Sequence, residues 1–228
     1  QVWSAHDQRG LIRGDPVDTQ SYSYVYGPVP SRRLGRSLGI DLIPFKTCSY
    51  DCVYCQLGRT TDKTLDLRAF GVIDDILREV ERKLGSDPIL PDHIGLAGSG
   101  EPTLNTLIGP IREGIKRLTD VPVAVLTNGS LLWMPEVSEA LMAADVVMPS
   151  LDAGDAGTFA RVNRPHPHLP FERMVEGLAS FTQRFCGEVW LEVLLLGHVT
   201  GVPSHVEKIA TLARTIGPTR VQLNTVCR

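Results

Sequence analysis

The sequence predicts an α/β fold of parallel strands, on two observations. Apolar runs of strand length alternate with one-sided apolar stripes of helical spacing, and the runs themselves show little polar alternation, as in strands buried on both faces. Six strands are expected, at Leu38–Ile43, His93–Ala97, Val121–Thr127, Asp145–Leu151, Glu188–His198 and Arg220–Val226. Between them, Ile73, Ile76, Leu77, Val80 and Leu84 keep helical spacing, and so do Leu104, Leu107, Ile108, Ile111, Ile115 and Leu118. Phe171, Met174, Val175, Leu178 and Phe181 form a third stripe and Val206, Ile209, Ala210, Ala213 and Ile216 a fourth, with a shorter helix around Pro135–Ala144. Stripes of this kind cover a sheet, and right-handed crossovers wind the units in one direction. Six parallel strands make either an open doubly wound sheet or an incomplete barrel, since about eight are needed for closure. In both, functional residues belong at the C-terminal ends of the strands.

Composition narrows the function classes. The 228 residues carry 43% hydrophobic and 21% charged side chains, which suits a folded domain and argues against disorder. A net charge of −3 gives no global basic field, so a nucleic-acid partner is not supported by charge. No run approaches about 18 apolar residues, so no membrane span or membrane partner is expected. Residues 1–20 are polar, without the apolar run of a signal peptide, and begin with Gln1, which suggests a fragment. The expected division is an N-terminal tail or cap at 1–30, ending in Gly27-Pro28-Val29-Pro30, and a core at 31–228 that leaves room for a missing C-terminal segment.

Three of the five cysteines fall in Cys48-Ser-Tyr-Asp-Cys52-Val-Tyr-Cys55, in the loop after the first strand, while Cys186 and Cys227 are scattered. Clustering of this kind favours a metal or cluster site in a reducing cytoplasm over a disulfide framework. Thiolates are soft ligands for iron–sulfur clusters or zinc. Three of them can hold three irons of a [4Fe–4S] cube and leave the fourth iron open. The rival readings are a zinc site, which normally needs four ligands, a Cys52–Cys55 redox dithiol, which leaves Cys48 unexplained, and chance clustering of buried thiols.

With aromatic Tyr54 before the last cysteine, Cys48-x3-Cys52-x2-Cys55 resembles the signature of the radical SAM superfamily. The resemblance implies a partial (β/α)6 TIM-like barrel with parallel strands. It also implies an enzyme of the Fe–S oxidoreductase kind, in which S-adenosylmethionine (SAM) chelates the open iron and is cleaved reductively to methionine and a 5′-deoxyadenosyl radical that abstracts hydrogen from a substrate. Gly98-Ser99-Gly100-Glu101-Pro102 is a glycine-rich turn after the second strand, leading to a helix that starts near Asn105. It resembles the superfamily's "GGEP" element, with Ser99 in place of the first glycine, and Glu101 is the expected partner of the SAM ammonium group.

Thr127 and Asn128, at the end of strand three, are expected on the floor of the site, and Ser150 and Asp152, after strand four, near the SAM carboxylate, its ribose or the substrate. Glu192 is a carboxylate inside an apolar strand, expected to point into the barrel or to form an ion pair. Gln222 and Asn224 share one strand face, suited to adenine or substrate. Further candidates are an anion clamp at Arg32, Arg33 and Arg36, and acid–base roles for His166 and His168; Cys186 and Cys227 read as structural, with a second-cluster role as the alternative. The segment from Gly27 to Gly39, with Cys55-Gln-Leu-Gly-Arg-Thr, resembles a loosely defined group of Fe–S oxidoreductases near the wyosine-synthesising tRNA enzymes. Those enzymes carry further cysteines upstream, and this chain has none before Cys48, so a tRNA substrate is not carried over. The expected partners are a substrate that is a small molecule, peptide or protein, and a reductant such as flavodoxin or ferredoxin. The alternative is a non-catalytic iron–sulfur electron carrier or sensor.

Overall fold

The structure, a computed structural model, describes residues 24–225. Its elements run β1 (Val25–Ser31), β2 (Gly35–Asp41), β3 (Thr47–Cys48), β4 (Asp62–Lys63), α1 (Ile73–Ser86), β5 (His93–Ala97) and α2 (Ile108–Leu118). They continue with β6 (Val123–Thr127), α3 (Pro135–Leu141), β7 (Val146–Pro149), α4 (Ala156–Val162), α5 (Phe171–Arg184), β8 (Glu188–Leu195), α6 (Pro203–Ile216) and β9 (Arg220–Thr225). The main sheet has the order β1-β2-β5-β6-β7-β8-β9. Every neighbouring pair in it is parallel except β1 with β2, which is antiparallel.

The sheet curls into a half-barrel, and side-chain contacts across it prove the curl. Arg33, in the turn between β1 and β2, forms an ion pair with Glu192 on β8. From β2 to β8 is four strand steps in the sheet order, roughly 19 Å if the sheet were flat. The ring of His93 on β5 also meets Trp190 on β8 at 6.1 Å. Both contacts need a concave face.

Period-two alternation then divides the strands between two cores. Leu38 and Ile40 sit in register with Ile94 and Leu96, and these with Val123 and Val125. All six are fully buried under the helical stripes, with Ile76, Ile111, Ile115 and Leu178 against them. The opposite face carries a separate small cluster of Leu34, Ala124, Val146, Met148 and Trp190, a plug that fills one end of the half-barrel. The other end, at the C-terminal ends of the parallel strands, holds the polar residues.

Several elements differ from expectation for identifiable reasons. The first parallel strand is Gly35–Asp41 rather than Leu38–Ile43, because Leu42 and Ile43 are buried in the loop that leaves the sheet. The fifth ends at Leu195, since the chain turns there through Val199, Thr200 and Gly201 amides that donate to Leu196 O. The helix expected near Asn105 begins at Ile108, after a 3-10 turn over Pro102–Leu104, and the Asn105 side chain accepts from the amides of Phe70 and Leu107 and donates to Leu42 O and Phe70 O. Helix α4 was not expected. The boundary expected between residues 30 and 31 falls near the end of β1, an edge strand of the sheet; residues 1–23 and Val226 lie outside the described residues.

Candidate cofactor site at the cysteine loop

The loop after β2 is held from three sides. Lys46 turns the chain with φ 63, and β3 pairs with β4, closing the cysteine segment on itself. Toward β5, the Lys46 amide donates to Ser99 O (2.7 Å) and the Glu101 amide to Thr47 O (3.0 Å). Toward β6, Asn128 Nδ2 donates to Ser49 Oγ (2.8 Å), which also shares a 2.7 Å bond with Ser130 Oγ. Toward α4, the amides of Asp51, Val53 and His166 pair with Asn163 O, Val162 O and Ser49 O respectively, at 3.0, 2.9 and 2.8 Å.

That crossing explains the glycines after β5. A Cβ on Gly100 would overlap the Thr47 carbonyl, and one on Gly98 would press on Ile43 and Asp41. The glycines therefore admit the chain's own cysteine loop as close neighbour. Ser99 adds to the join, its amide and hydroxyl both donating to Asp41 at 2.9 and 2.5 Å.

Glu101 is 1% exposed and acts as a bracket. Its Oε1 accepts from Thr103 N (3.0 Å), Thr103 Oγ1 (2.6 Å) and Thr127 Oγ1 (2.6 Å), and its Oε2 from Asn128 N (2.7 Å). Burial pushes its carboxyl above the usual range, against the four hydrogen bonds, which favour the anion. Pro102, buried, starts the 3-10 turn that Glu101 caps. Thr127 and Asn128 are thus joined to the glycine-rich turn, and Asn128 also to the cysteine loop.

The thiols of Cys48, Cys52 and Cys55 are free and half-buried. Burial pushes Cys48 and Cys52 up to about 12 each; Glu101 and Cys55 add to the effect at Cys48, and Asp152 and Cys48 at Cys52. The sulfurs therefore lie near enough to feel one another's charge. Among the described residues no three Cys, His, Asp or Glu side chains converge on a single metal ion. Three soft thiol donors on one loop suit an iron–sulfur group by their chemistry. Beside them, Asn163 Oδ1 is a buried acceptor without a partner.

Asp152, 4% exposed, connects the last cysteine turn to α4 and β8. Its Oδ2 accepts from the Tyr54 hydroxyl and from Asn163 Nδ2 (3.0 Å), and its Oδ1 from Leu194 N (2.9 Å). Burial raises its pKa too. Ser150 forms a bridge pair with Glu192, and both lie on the strand face that carries the site. Glu192 is met by Arg33. Gln222 and Asn224 share the less exposed face of β9, and Gln222 Oε1 is buried without a partner.

The three arginines of the β1–β2 turn do not form one clamp: Arg33 goes to Glu192, Arg36 to Asp87 (3.4 Å), and Arg32 is exposed. The His166 and His168 rings meet each other at 5.2 Å, with His168 exposed. Cys186 is exposed before β8, at the strand end opposite the cysteine loop; Cys227 lies outside the described residues. Lys46, Asp41, Ser49 and Asn163 were not singled out from sequence. Only the Lys46-Thr-Cys48 adjacency offered a signal, for Asn163 reaches Cys52 across 111 residues.

The family model described as the Radical SAM superfamily matches residues 42–213. A protein of Brachyspira hyodysenteriae named GTPase Obg is 45% identical over 204 residues, which cover 90% of this chain and 30% of that protein. A UPF0026 protein of Synechocystis sp. is 41% identical over 205 residues, covering 90% of this chain and 76% of its own length. SuiB of Streptococcus suis, in a crystal structure bound to S-adenosylmethionine, superposes with a TM-score of 0.61 at 16% identity, over 84% of this chain and 42% of SuiB. The chain thus spans under a third of the first of these relatives.

Proposed function

The chain belongs to the radical SAM superfamily, and from that premise we infer that Cys48, Cys52 and Cys55 hold a [4Fe–4S] cluster and that the enzyme cleaves SAM reductively to abstract hydrogen from a substrate. The observation that carries this reading is the pairing of two loops, three thiols on one and the glycine-rich turn on the other, hydrogen-bonded directly through Lys46, Thr47, Ser99 and Glu101. Bound there, the cluster would supply the electron that breaks a sulfonium C–S bond, releasing methionine and a 5′-deoxyadenosyl radical.

The chain's own residues hold the reactants. Glu101 Oε2, with one hydrogen bond, keeps acceptor capacity for the ammonium group of SAM. Ser150, Glu192 and Asn224 supply polar atoms on the concave face for its carboxylate, ribose or adenine. Asp152 orients Tyr54 beside the thiols. The apolar plug around Met148 and Trp190 keeps water from the far end of the half-barrel. A low-potential reductant such as flavodoxin or ferredoxin, and a substrate that is a small molecule, peptide or partner protein, complete the reaction; free thiols suit the reducing cytoplasm.

Anaerobic reconstitution with iron and sulfide, reduction and addition of SAM should release 5′-deoxyadenosine, and Cys52→Ser should abolish it. A fully loaded cluster with no such product would establish the electron-carrier alternative instead.

A further inference from the structure

Each of the three sulfurs has its own hydrogen-bond donor from outside the cysteine set. Asn128 Nδ2 lies 3.6 Å from Cys48 Sγ, Asn163 Nδ2 3.6 Å from Cys52 Sγ, and Lys46 Nζ 3.4 Å from Cys55 Sγ. Two of these donors are neutral and one is a cation. Lys46 is 3% exposed, and its side chain is pinned by a second bond to Gly58 O. Its backbone is fixed as well, by Ser99 O on one side and the Thr61 and Asp62 amides on the other. Among the described residues Lys46 forms no ion pair with a carboxylate; its partners are that carbonyl and the sulfur.

A buried ammonium without a carboxylate is costly unless another anion compensates it. The compensating anion in reach would be the cluster itself, through its Cys55 ligand sulfur. A cubane core with three thiolates gains one further negative charge when it takes an electron, and at low dielectric a fixed cation in contact with a ligand sulfur favours that form. Net charge and hydrogen bonds to sulfur are the protein's means of setting such potentials.

We propose that Lys46 is the built-in counter-charge of the cluster, raising with Asn128 and Asn163 the potential at which it accepts one electron from a low-potential reductant. This rests on the cluster reading above.

The test is an EPR-monitored redox titration of the anaerobically reconstituted chain, with iron and sulfide counted in each sample. Lys46→Met, which removes the charge at similar length, should keep its iron. At a set potential its ratio of reduced to oxidised cluster should fall by about tenfold, equivalent to a midpoint lower by about 59 mV. Lys46→Arg should stay near the wild-type value. An unchanged midpoint in a loaded Lys46→Met chain overturns the proposal. If Lys46→Met does not fold or load, pulsed EPR on the reduced wild type with 15N at the lysine Nζ decides. A 15N coupling that vanishes in Lys46→Arg supports the contact, and no coupling overturns it. A wild-type chain that binds no cluster overturns both this proposal and the functional reading; one that releases 5′-deoxyadenosine while its midpoint ignores Lys46 overturns this proposal alone.

Discussion

Burial holds protons on the Cys48 and Cys52 thiols up to about pH 12, whereas the unfolded chain releases them near 9. Between those values the folded state binds more protons, so the stability they contribute is complete below about pH 9 and is lost as the pH rises toward 12. The urea midpoint of the metal-free chain should therefore fall when the buffer is taken from about pH 8 to about pH 11, and fall less in a Cys48→Ser, Cys52→Ser variant. A metal group bound at these sulfurs would run the other way, because each ligand must give up its proton. Alkylation offers a second reading of the same burial. Near pH 8, iodoacetamide should modify exposed Cys186 at least about tenfold faster than Cys48 or Cys52, as followed by peptide mass spectrometry. At this scale the thiols were legible because they are neighbours in sequence. Asn163 and Lys46 were not, since a lone amide or ammonium acquires its meaning only from what the fold sets beside it.

Among the elements, the decisive join is the crossing of the cysteine loop with the turn after β5. Gly100→Ala forces a Cβ onto the Thr47 carbonyl, and should destabilise the chain by about 1–3 kcal/mol and reduce iron uptake. Gly85→Ala in α1, where a Cβ meets open space, should instead be neutral or stabilising by up to about 1 kcal/mol. Thermal unfolding of the two variants checks the contrast. The strands and long helices were legible because their periodicity is strong over many residues. Helix α4 was hidden because Phe159 and Val162 are its large buried apolar side chains, too few to make a stripe, and no proline marks its start as Pro135 does in the equally short α3. Its contribution to the site, the Val162 and Asn163 carbonyls that accept from the cysteine loop and the Asn163 side-chain amide, lies in contacts that hydropathy does not encode.

Across the whole molecule, the ion pair of Arg33 with Glu192 ties one end of the curled sheet to strands near the other. Arg33→Met should leave Glu192 short of a partner and cost about 1–3 kcal/mol. Adding Glu192→Gln should recover part of that loss, a coupling on the order of 1 kcal/mol in a double-mutant cycle read by urea unfolding. The curl itself was not legible from hydropathy, because an open sheet and a half-barrel bury the same outward stripe. Only contacts such as this one, and Trp190 with His93, distinguish them.

The thiol-bearing loop hangs from a sheet whose packing owes nothing to iron. In a small zinc finger the ion creates the fold; here the apolar layers of sheet and helices supply a core of their own. A cluster proposed for the three cysteines would therefore be replaceable: its loss to oxygen should leave the scaffold folded and the loop able to take up another.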